Sequence, residues 1–266
     1  MMSLLNVENV SYEVKQSRLF GRKLPVKTIL QDISFSIEEG TCLSLIGTSG
    51  AGKTTLGKMV LGINHPTSGQ VLFMGEPVYN TSNQAVRRNI QVVFQDPVSS
   101  VNPYMTIEKI ITEPLLNMKV SKEERRREAR DIIEKVGLKV SDLQKYPHQL
   151  SGGQLQRVTI ARAIIVKPKL VVLDEAVSSL DMVTQSKILE LLIELKTVAQ
   201  LTYLFITHDI RAAFTISDRI GVLEEGKLVA IYDNSTDFLQ SKYPVVQRLK
   251  DSILAEHPLF RTVRKV

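Results

Sequence analysis

The sequence predicts an α/β fold built on a parallel sheet, and three observations carry that prediction. An apolar run from Thr41 to Ile46 enters a glycine loop, Gly47-Thr48-Ser49-Gly50-Ala51-Gly52, and then a helical segment from Lys53 to about Leu61. A second run, Leu170-Val171-Val172-Leu173, is apolar at every position, as a strand buried on both faces requires, and ends in Asp174-Glu175. Beyond Leu150, helix and strand signals alternate: helix 154–166, strand 170–173, helix 183–199, strand 201–207, helix 210–216 and strand 219–223. Strands joined by helical crossovers pair in parallel.

Ahead of that core, Leu4 to Val14 and Thr28 to Ile37 alternate in part between apolar and polar residues, so they read as strands, with Glu38-Glu39-Gly40 as a turn. Residues 69–94 give further strand and turn signals. Asp96-Pro97 through Asn102-Pro103 is rich in Pro, Ser and Asn and predicts an irregular segment. From Thr106 to Gly137 apolar residues recur at helical spacing (Ile110, Ile111, Leu115 and Leu116, then Ala129, Ile132, Ile133 and Val136), and Gly137 fits a C-terminal cap. Glu224-Glu225-Gly226-Lys227 reads as a hairpin turn, and no internal repeat is visible.

Composition narrows the class. With 266 residues, 43% apolar and 23% charged, the chain has the make-up of a soluble globular protein and the length of one α/β domain with a subdomain. No apolar run approaches the ~18–20 residues of a membrane-spanning helix. Met1 through Glu8 show no basic region followed by an apolar core, so no secretory signal is expected. The single cysteine, Cys42, excludes an internal disulfide, and its apolar strand predicts a buried, inert thiol. The expected compartment is the cytoplasm. The net charge of +6 is dispersed, and its densest cluster, Lys122 to Asp131, interleaves both signs as a solvated helix face does. No aromatics interleave with it for base stacking, so nucleic acid is not an expected partner.

The chemistry sits in four places. Gly47 to Thr54 has the spacing of a phosphate-binding loop: its glycines let successive N–H groups converge on phosphate oxygens at a helix N-terminus. Lys53 would reach the β- and γ-phosphates, and Thr54 would ligate Mg²⁺. Asp174 and Glu175 lie at the carboxyl edge of their strand, where α/β sheets bind ligands. There Asp174 would hold Mg²⁺ through water and Glu175 would polarise the attacking water as general base; read alone, the pair serves equally as a helix-capping acidic pair. His208 ends the strand Thr202 to Thr207 and fits either contact with a γ-phosphate and the attacking water or a structural hydrogen bond. Gln95, after the apolar run Ile90 to Phe94, is able to sense Mg²⁺ or that water, although a Gln taken alone reads as a surface residue. Finally, Leu150-Ser151-Gly152-Gly153-Gln154 reads in isolation as a Ser N-cap and a Gly-Gly turn opening a helix from Gln154 to Ala163. Placed between the glycine loop and the acidic strand end, it is also a second anion-binding helix start, with no phosphate loop of its own to serve.

Together these residues resemble the nucleotide-binding subunits of ATP-binding-cassette (ABC) transporters, over nearly all of residues 4–240. In that likeness residues 47–54 are the Walker A loop, followed by Thr55, and Gln95 is the Q-loop glutamine. Residues 150–154 are the signature, Asp174 ends Walker B with Glu175 behind it, Ser178-Ser179-Leu180-Asp181 is the D-loop and His208 the switch histidine. The resemblance implies a P-loop NTPase domain over 1–240 with a parallel-sheet core, an N-terminal antiparallel β subdomain and an inserted α-helical subdomain at about 96–157, then a C-terminal tail over 241–266. It implies ATP and Mg²⁺ as cofactors, with Thr54, Gln95 and Asp174 toward the metal. It implies a head-to-tail dimer with a second such ATPase, in which Ser151, Gly153 and Gln154 act on the partner's nucleotide. Two membrane permease subunits, an extracytoplasmic solute-binding protein and a peripheral place on the cytoplasmic face of the cell membrane follow in the same way. The family stacks adenine on an aromatic near the end of the first strand, where this chain has Val14; Tyr12, two residues earlier on the same strand face, could substitute. Gln95 to Thr106 and Tyr243-Pro244 resemble the peptide and nickel importer branch, and Asp174 to Val183 and Leu204 to Arg211 resemble its nickel-import members more than its peptide-import ones. The expected solute is therefore nickel or a related metal chelate, with an oligopeptide or dipeptide as the alternative. A soluble ABC ATPase acting on DNA or ribosomes would usually carry a long coiled-coil insertion or two cassettes, and this chain has neither. The segment from Gln95 to Thr106 is expected to dock a permease helix, with Val101 and Tyr104 in contact.

Overall fold

The computed structural model describes residues 3–14, 26–79 and 84–256; residues 80–83 of the predicted 69–94 stretch and residues 257–266 of the predicted tail lie outside the described residues. In chain order the elements are β1 (Ser3–Val14), β2 (Lys27–Glu38), β3 (Cys42–Ile46), α1 (Lys53–Val60), β4 (Ser68–Phe73), β5 (Glu76–Pro77), α2 (Gln84–Asn89), β6 (Ile90–Val93), α3 (Ile107–Leu116) and α4 (Lys122–Lys135). They continue with α5 (Gly152–Ile164), β7 (Leu170–Asp174), α6 (Met182–Val198), β8 (Thr202–Ile206), α7 (Ile210–Ile216), β9 (Arg219–Glu224), β10 (Lys227–Tyr232), α8 (Ser235–Gln240) and α9 (Pro244–Glu256). These divide into two units, one of Met1–Tyr79 with Phe205–Val266 and one of Asn80–Leu204.

The first unit opens with an antiparallel sheet in the order β2-β1-β4-β5. Leu5, Val7 and Val10 of β1 stand opposite Ile37, Phe35 and Ile33 of β2, all buried, which is the cross-strand pairing that partial alternation predicts. The same unit holds β3, buried at all five positions, with β9 parallel to it from Leu43 opposite Arg219 to Ile46 opposite Val222. β10 returns antiparallel to β9, through the predicted turn at Glu224 to Lys227. Just past β8, the Thr207 N–H donates to the Leu45 carbonyl at 3.2 Å. Ile46, Ile210, Ile220, Val222 and Phe238 share a core with Val245 and Val246 of α9. The rings of Phe214 and Tyr232 meet Phe238 edge-on, each with centroids 5.4 Å away. Part of the 241–266 segment is therefore core of this unit: Pro244 starts α9, and burying the two valines after it contributes about 1.5–3 kcal/mol each.

In the second unit β6 and β7 pair in parallel, Ile90 opposite Leu170 through Val93 opposite Leu173. Thr202, at the start of β8, donates its N–H to the Lys169 carbonyl at 3.0 Å. The helical stretch predicted from Thr106 to Gly137 is two helices with a break, where Lys119 has φ 56 and Ser121 caps α4 by accepting the Glu124 N–H at 3.2 Å. Ile110, Ile111 and Leu115 of α3 and Ala129, Ile132 and Ile133 of α4 are buried, as the spacing predicts. Gly137 ends α4 at φ 73, and the Val136 carbonyl beside it accepts Arg157 Nη1 at 2.6 Å. Helix α5 begins at Gly152, two residues before its predicted start, because Ser151 is its N-cap.

Candidate functional site

In the first unit β3 delivers the chain into the glycine loop. A Cβ on Gly47 would lie 2.0 Å from the carbonyl oxygen of Leu223 on β9, so the loop can leave its strand only without a side chain. Gly52 has φ 103, and a Cβ there would meet Leu30 Cδ2 at 2.6 Å. It caps α1 with no side-chain hydrogen bond, and the first turn holds no acidic residue, so the positive end of the helix is left to an anion. Lys53 is buried, and its Nζ donates to the Gly47 carbonyl at 2.7 Å and the Thr48 carbonyl at 3.0 Å. Thr48, Ser49, Gly50 and Thr54 are exposed, Thr55 is partly buried and Ala51 is buried. A cradle open to solvent, floored by glycine and holding a lysine ammonium fits a nucleotide's phosphates.

Tyr12, partly buried, stands across from Leu30, the residue that packs against Gly52. Val14, opposite Lys27, is 39% exposed. His208 is exposed, in a turn fixed on both sides. Asp209 donates its N–H to Thr207 Oγ1 at 3.0 Å, and its carboxylate accepts the N–H groups of Arg211 and Ala212 at 2.9 and 3.4 Å to cap α7.

In the second unit β7 ends at Asp174, partly buried, with Glu175 behind it at φ 55. That left-handed backbone costs a residue with a Cβ about 1–2 kcal/mol, and such outliers collect at working sites. Ser178 meets the cost by donating its N–H (3.1 Å) and hydroxyl (2.9 Å) to the Glu175 carbonyl. Asp181 caps α6 by accepting from Val183 N at 3.1 Å and Thr184 N at 3.0 Å. Hydrogen bonds from Thr184, side chain first, hold the Asp181 carboxyl below the usual carboxylate range.

Gln95 is exposed after β6, and its carbonyl accepts the Ser179 hydroxyl at 3.3 Å. The next residues form a tight hydrogen-bonded turn. The Asp96 carbonyl accepts the Ser100 hydroxyl at 2.6 Å and its Oδ1 the Val98 N–H at 2.9 Å, while bonds from Ser99 and Val98 lower its carboxyl pKa. From α5, Arg162 Nη1 donates to the Ser100 carbonyl at 2.6 Å; burial pushes its guanidinium pKa down, opposed by Glu113 at 4.0 Å. One expectation fails here. Val101 is only 7% exposed and packs inward, so it is not available to a partner; the exposed apolar residues of the segment are Tyr104 at 89% and Val98 at 63%.

Residues 150–154 form the helix N-cap that their sequence suggests. Ser151 Oγ accepts the Gln154 N–H at 3.3 Å and Gln154 Oε1 accepts the Ser151 N–H at 2.9 Å, a reciprocal capping box. As acceptor, Ser151 keeps its hydroxyl hydrogen to donate outward. A Cβ on Gly153 would strike Thr184 Cγ2 at 2.4 Å, whereas one on Gly152 would meet nothing within 4 Å. The helix start is thus pressed close to α6 on one side and open on the other.

Within the second unit Glu175 and Gln95 are brought to one hydrogen-bonded turn through Ser178 and Ser179. The glycine loop, Thr54, Thr55, Tyr12 and His208 belong to the first unit; Gln95, Ser151, Gly153, Gln154, Asp174 and Glu175 belong to the second. Arg162 and Thr184 were not foreseen, for an Arg in a helical run and a Thr after an acidic cap carry no spacing signal of their own.

A phosphate-binding loop and an apolar strand closed by Asp-Glu define a P-loop nucleoside triphosphatase. Residues 30–178 match the ABC transporter family, and the chain belongs to that family as an ATP-binding, ATP-hydrolysing cassette. It is 39% identical to the oligopeptide transport ATP-binding protein AppF of Bacillus subtilis, over 90% of this chain and 74% of that protein. It is 38% identical to the nickel import ATP-binding protein NikE of Brucella suis, over 97% of this chain and 98% of that protein. A dimeric ATP-binding cassette in a post-hydrolysis state, bound to ADP and Pi, superimposes with a TM-score of 0.75 at 29% identity, over 86% of this chain and 98% of that one. Among the described residues no helix is long and apolar enough to cross a membrane.

Proposed function

We propose that this chain is the ATP-hydrolysing subunit of an importer for nickel or a related metal chelate. It works on the cytoplasmic face of the membrane in a head-to-tail pair with a second such ATPase, on two permeases served by an extracytoplasmic solute-binding protein. The glycine cradle with its buried Lys53 is the observation that carries the nucleotide chemistry. Lys53 exchanges the Gly47 and Thr48 carbonyls for phosphate oxygens, and Tyr12 stacks the adenine. Glu175 takes the proton of the attacking water at its carboxylate, with His208 and Gln95 orienting that water and the γ-phosphate. The Thr54 hydroxyl, the Gln95 side chain and Asp174 through water would hold Mg²⁺, an all-oxygen donor set of the kind that ion prefers. Mg²⁺, when bound, offsets the phosphate charge. Ser151 and the N–H groups of Gly153 and Gln154 serve the partner's nucleotide. Tyr104 and Val98, exposed on the segment behind Gln95, supply apolar contact to a permease helix.

Nickel is favoured by the likeness of Asp174 to Val183 and Leu204 to Arg211 to nickel-import ATPases, and a nickel-import relative is 38% identical over 97% of this chain. The oligopeptide relative keeps a peptide solute as the second reading. Deleting the gene and measuring uptake of radioactive nickel and of a labelled oligopeptide separates them. Loss of nickel uptake alone is expected; loss of peptide uptake alone assigns the second solute.

A further inference from the structure

Glu175 and Gln95 are the two side chains assigned above to the attacking water from the second unit, and two adjacent serines reach back to both. Ser178 donates its N–H and its hydroxyl to the Glu175 carbonyl, at 3.1 and 2.9 Å. Ser179 donates its hydroxyl to the Gln95 carbonyl at 3.3 Å, across 84 positions of sequence. Glu175 needs the support, because φ 55 is unfavourable for a residue with a Cβ and persists only where its surroundings impose it. The turn bearing the serines is itself anchored: Leu180 N–H donates to the Val177 carbonyl at 3.3 Å, and Asp181 caps α6 through Val183 and Thr184. The other side is anchored too, since Ser100 and Arg162 fix the backbone that follows Gln95.

We propose that Ser178 and Ser179 are positioning residues that clamp the backbones of Glu175 and Gln95 to one turn. The inference rests on the ATPase roles given to those two residues. Both serines bond main-chain carbonyls, so neither enters the proton transfer. Each restricts the backbone of a residue whose side chain does meet the water. Spacing matters because a misplacement of about 1 Å in an attacking group removes much of the advantage of holding it. An alanine at either position deletes one hydroxyl donor, and a threonine restores it.

The test uses the full chain with Mg–ATP. Ser178→Ala and Ser179→Ala are each expected to lower kcat about three- to tenfold, the rate equivalent of one hydrogen bond, with KM unchanged. Ser178→Thr and Ser179→Thr should recover most of the loss. Amide exchange supplies a reading independent of turnover: Ser179→Ala should speed exchange in both 95–100 and 175–180. If Ser178→Ala does not fold, Ser179→Ala, which alters an exposed hydroxyl, carries the same test. Unchanged kcat and exchange, loss not recovered by threonine, or a rise in KM at fixed kcat would each overturn the clamp. Glu175→Gln is the control. If it is inactive while the serine variants behave as wild type, the clamp falls and the general base stands; if it turns over at the wild-type rate, the ATPase assignment of Glu175 is what fails.

Discussion

Glu175 follows the last residue of a buried strand, on a backbone that a side-chain-bearing residue adopts only under constraint. The role proposed for its carboxylate is to take a proton, and a glutamine in its place keeps shape and hydrogen bonding while removing basicity. Glu175→Gln is expected to bind ATP as the wild type does and to hydrolyse it about 10²–10⁴-fold more slowly. Nucleotide-binding titration alongside phosphate release checks both halves, and near-normal turnover would contradict the assignment. The candidate phosphate loop was legible because phosphate binding fixes residue type and spacing together: glycines where backbone must approach, lysine and hydroxyl immediately after. Val101 was not. An apolar residue in an irregular, proline-containing segment has no period to say which way it faces, and the fold turns it inward. The bond from Ser179 to Gln95 was equally invisible, since 84 positions separate its ends.

Among the elements, the connection between α4 and α5, built from 3₁₀ turns at Val140–Gln144 and Pro147–Gln149, shows how a short non-α stretch is held. Asp142 has 5% of its side chain exposed, takes the Lys139 N–H at 2.9 Å and pairs with Lys145 Nζ at 2.7 Å. The Lys145 bond, then the Lys139 N–H, holds its carboxyl below the usual carboxylate range. A depressed folded-state pKa contributes stability that is present above the ordinary Asp value, near 3.9, and is lost as pH falls through the lower folded value. Asp142→Asn should therefore cost about 1–3 kcal/mol at neutral pH, with the gap from wild type closing below about pH 4. Denaturant melts at pH 7 and pH 3 read it, and a pH-independent gap would show that the charge is not what stabilises. Most element types were readable from periodicity, although α2 (Gln84–Asn89) formed inside the stretch read as strand and turn, while the ends depended on single capping residues. Ser151 moved the start of α5 back and Ser121 split the stretch after Thr106, because a hydroxyl satisfies orphan N–H groups wherever it stands.

For the whole molecule, coupling to a membrane partner depends on what is exposed. Tyr104→Asp with Val98→Asp should leave folding and ATP binding intact and stop uptake of the transported solute in cells, since both side chains already face solvent. Val101→Asp should behave differently: burying a carboxylate without a partner costs several kcal/mol, so loss of folded protein comes first. Expression level and melting temperature, measured with uptake, separate the two. Normal uptake by the double variant would place the contact elsewhere.

The backbone at Glu175 also bears on how this protein would respond to selection. Glycine is at ease at φ 55, so Glu175→Gly relieves a conformational penalty of about 1–2 kcal/mol, offset in part by the greater freedom of the unfolded chain. A laboratory search for heat resistance alone could select that change, and under the role proposed for Glu175 the sturdier protein would turn over far more slowly. Under the role proposed for Glu175, thermal margin and catalytic competence would be set against each other at this dihedral angle.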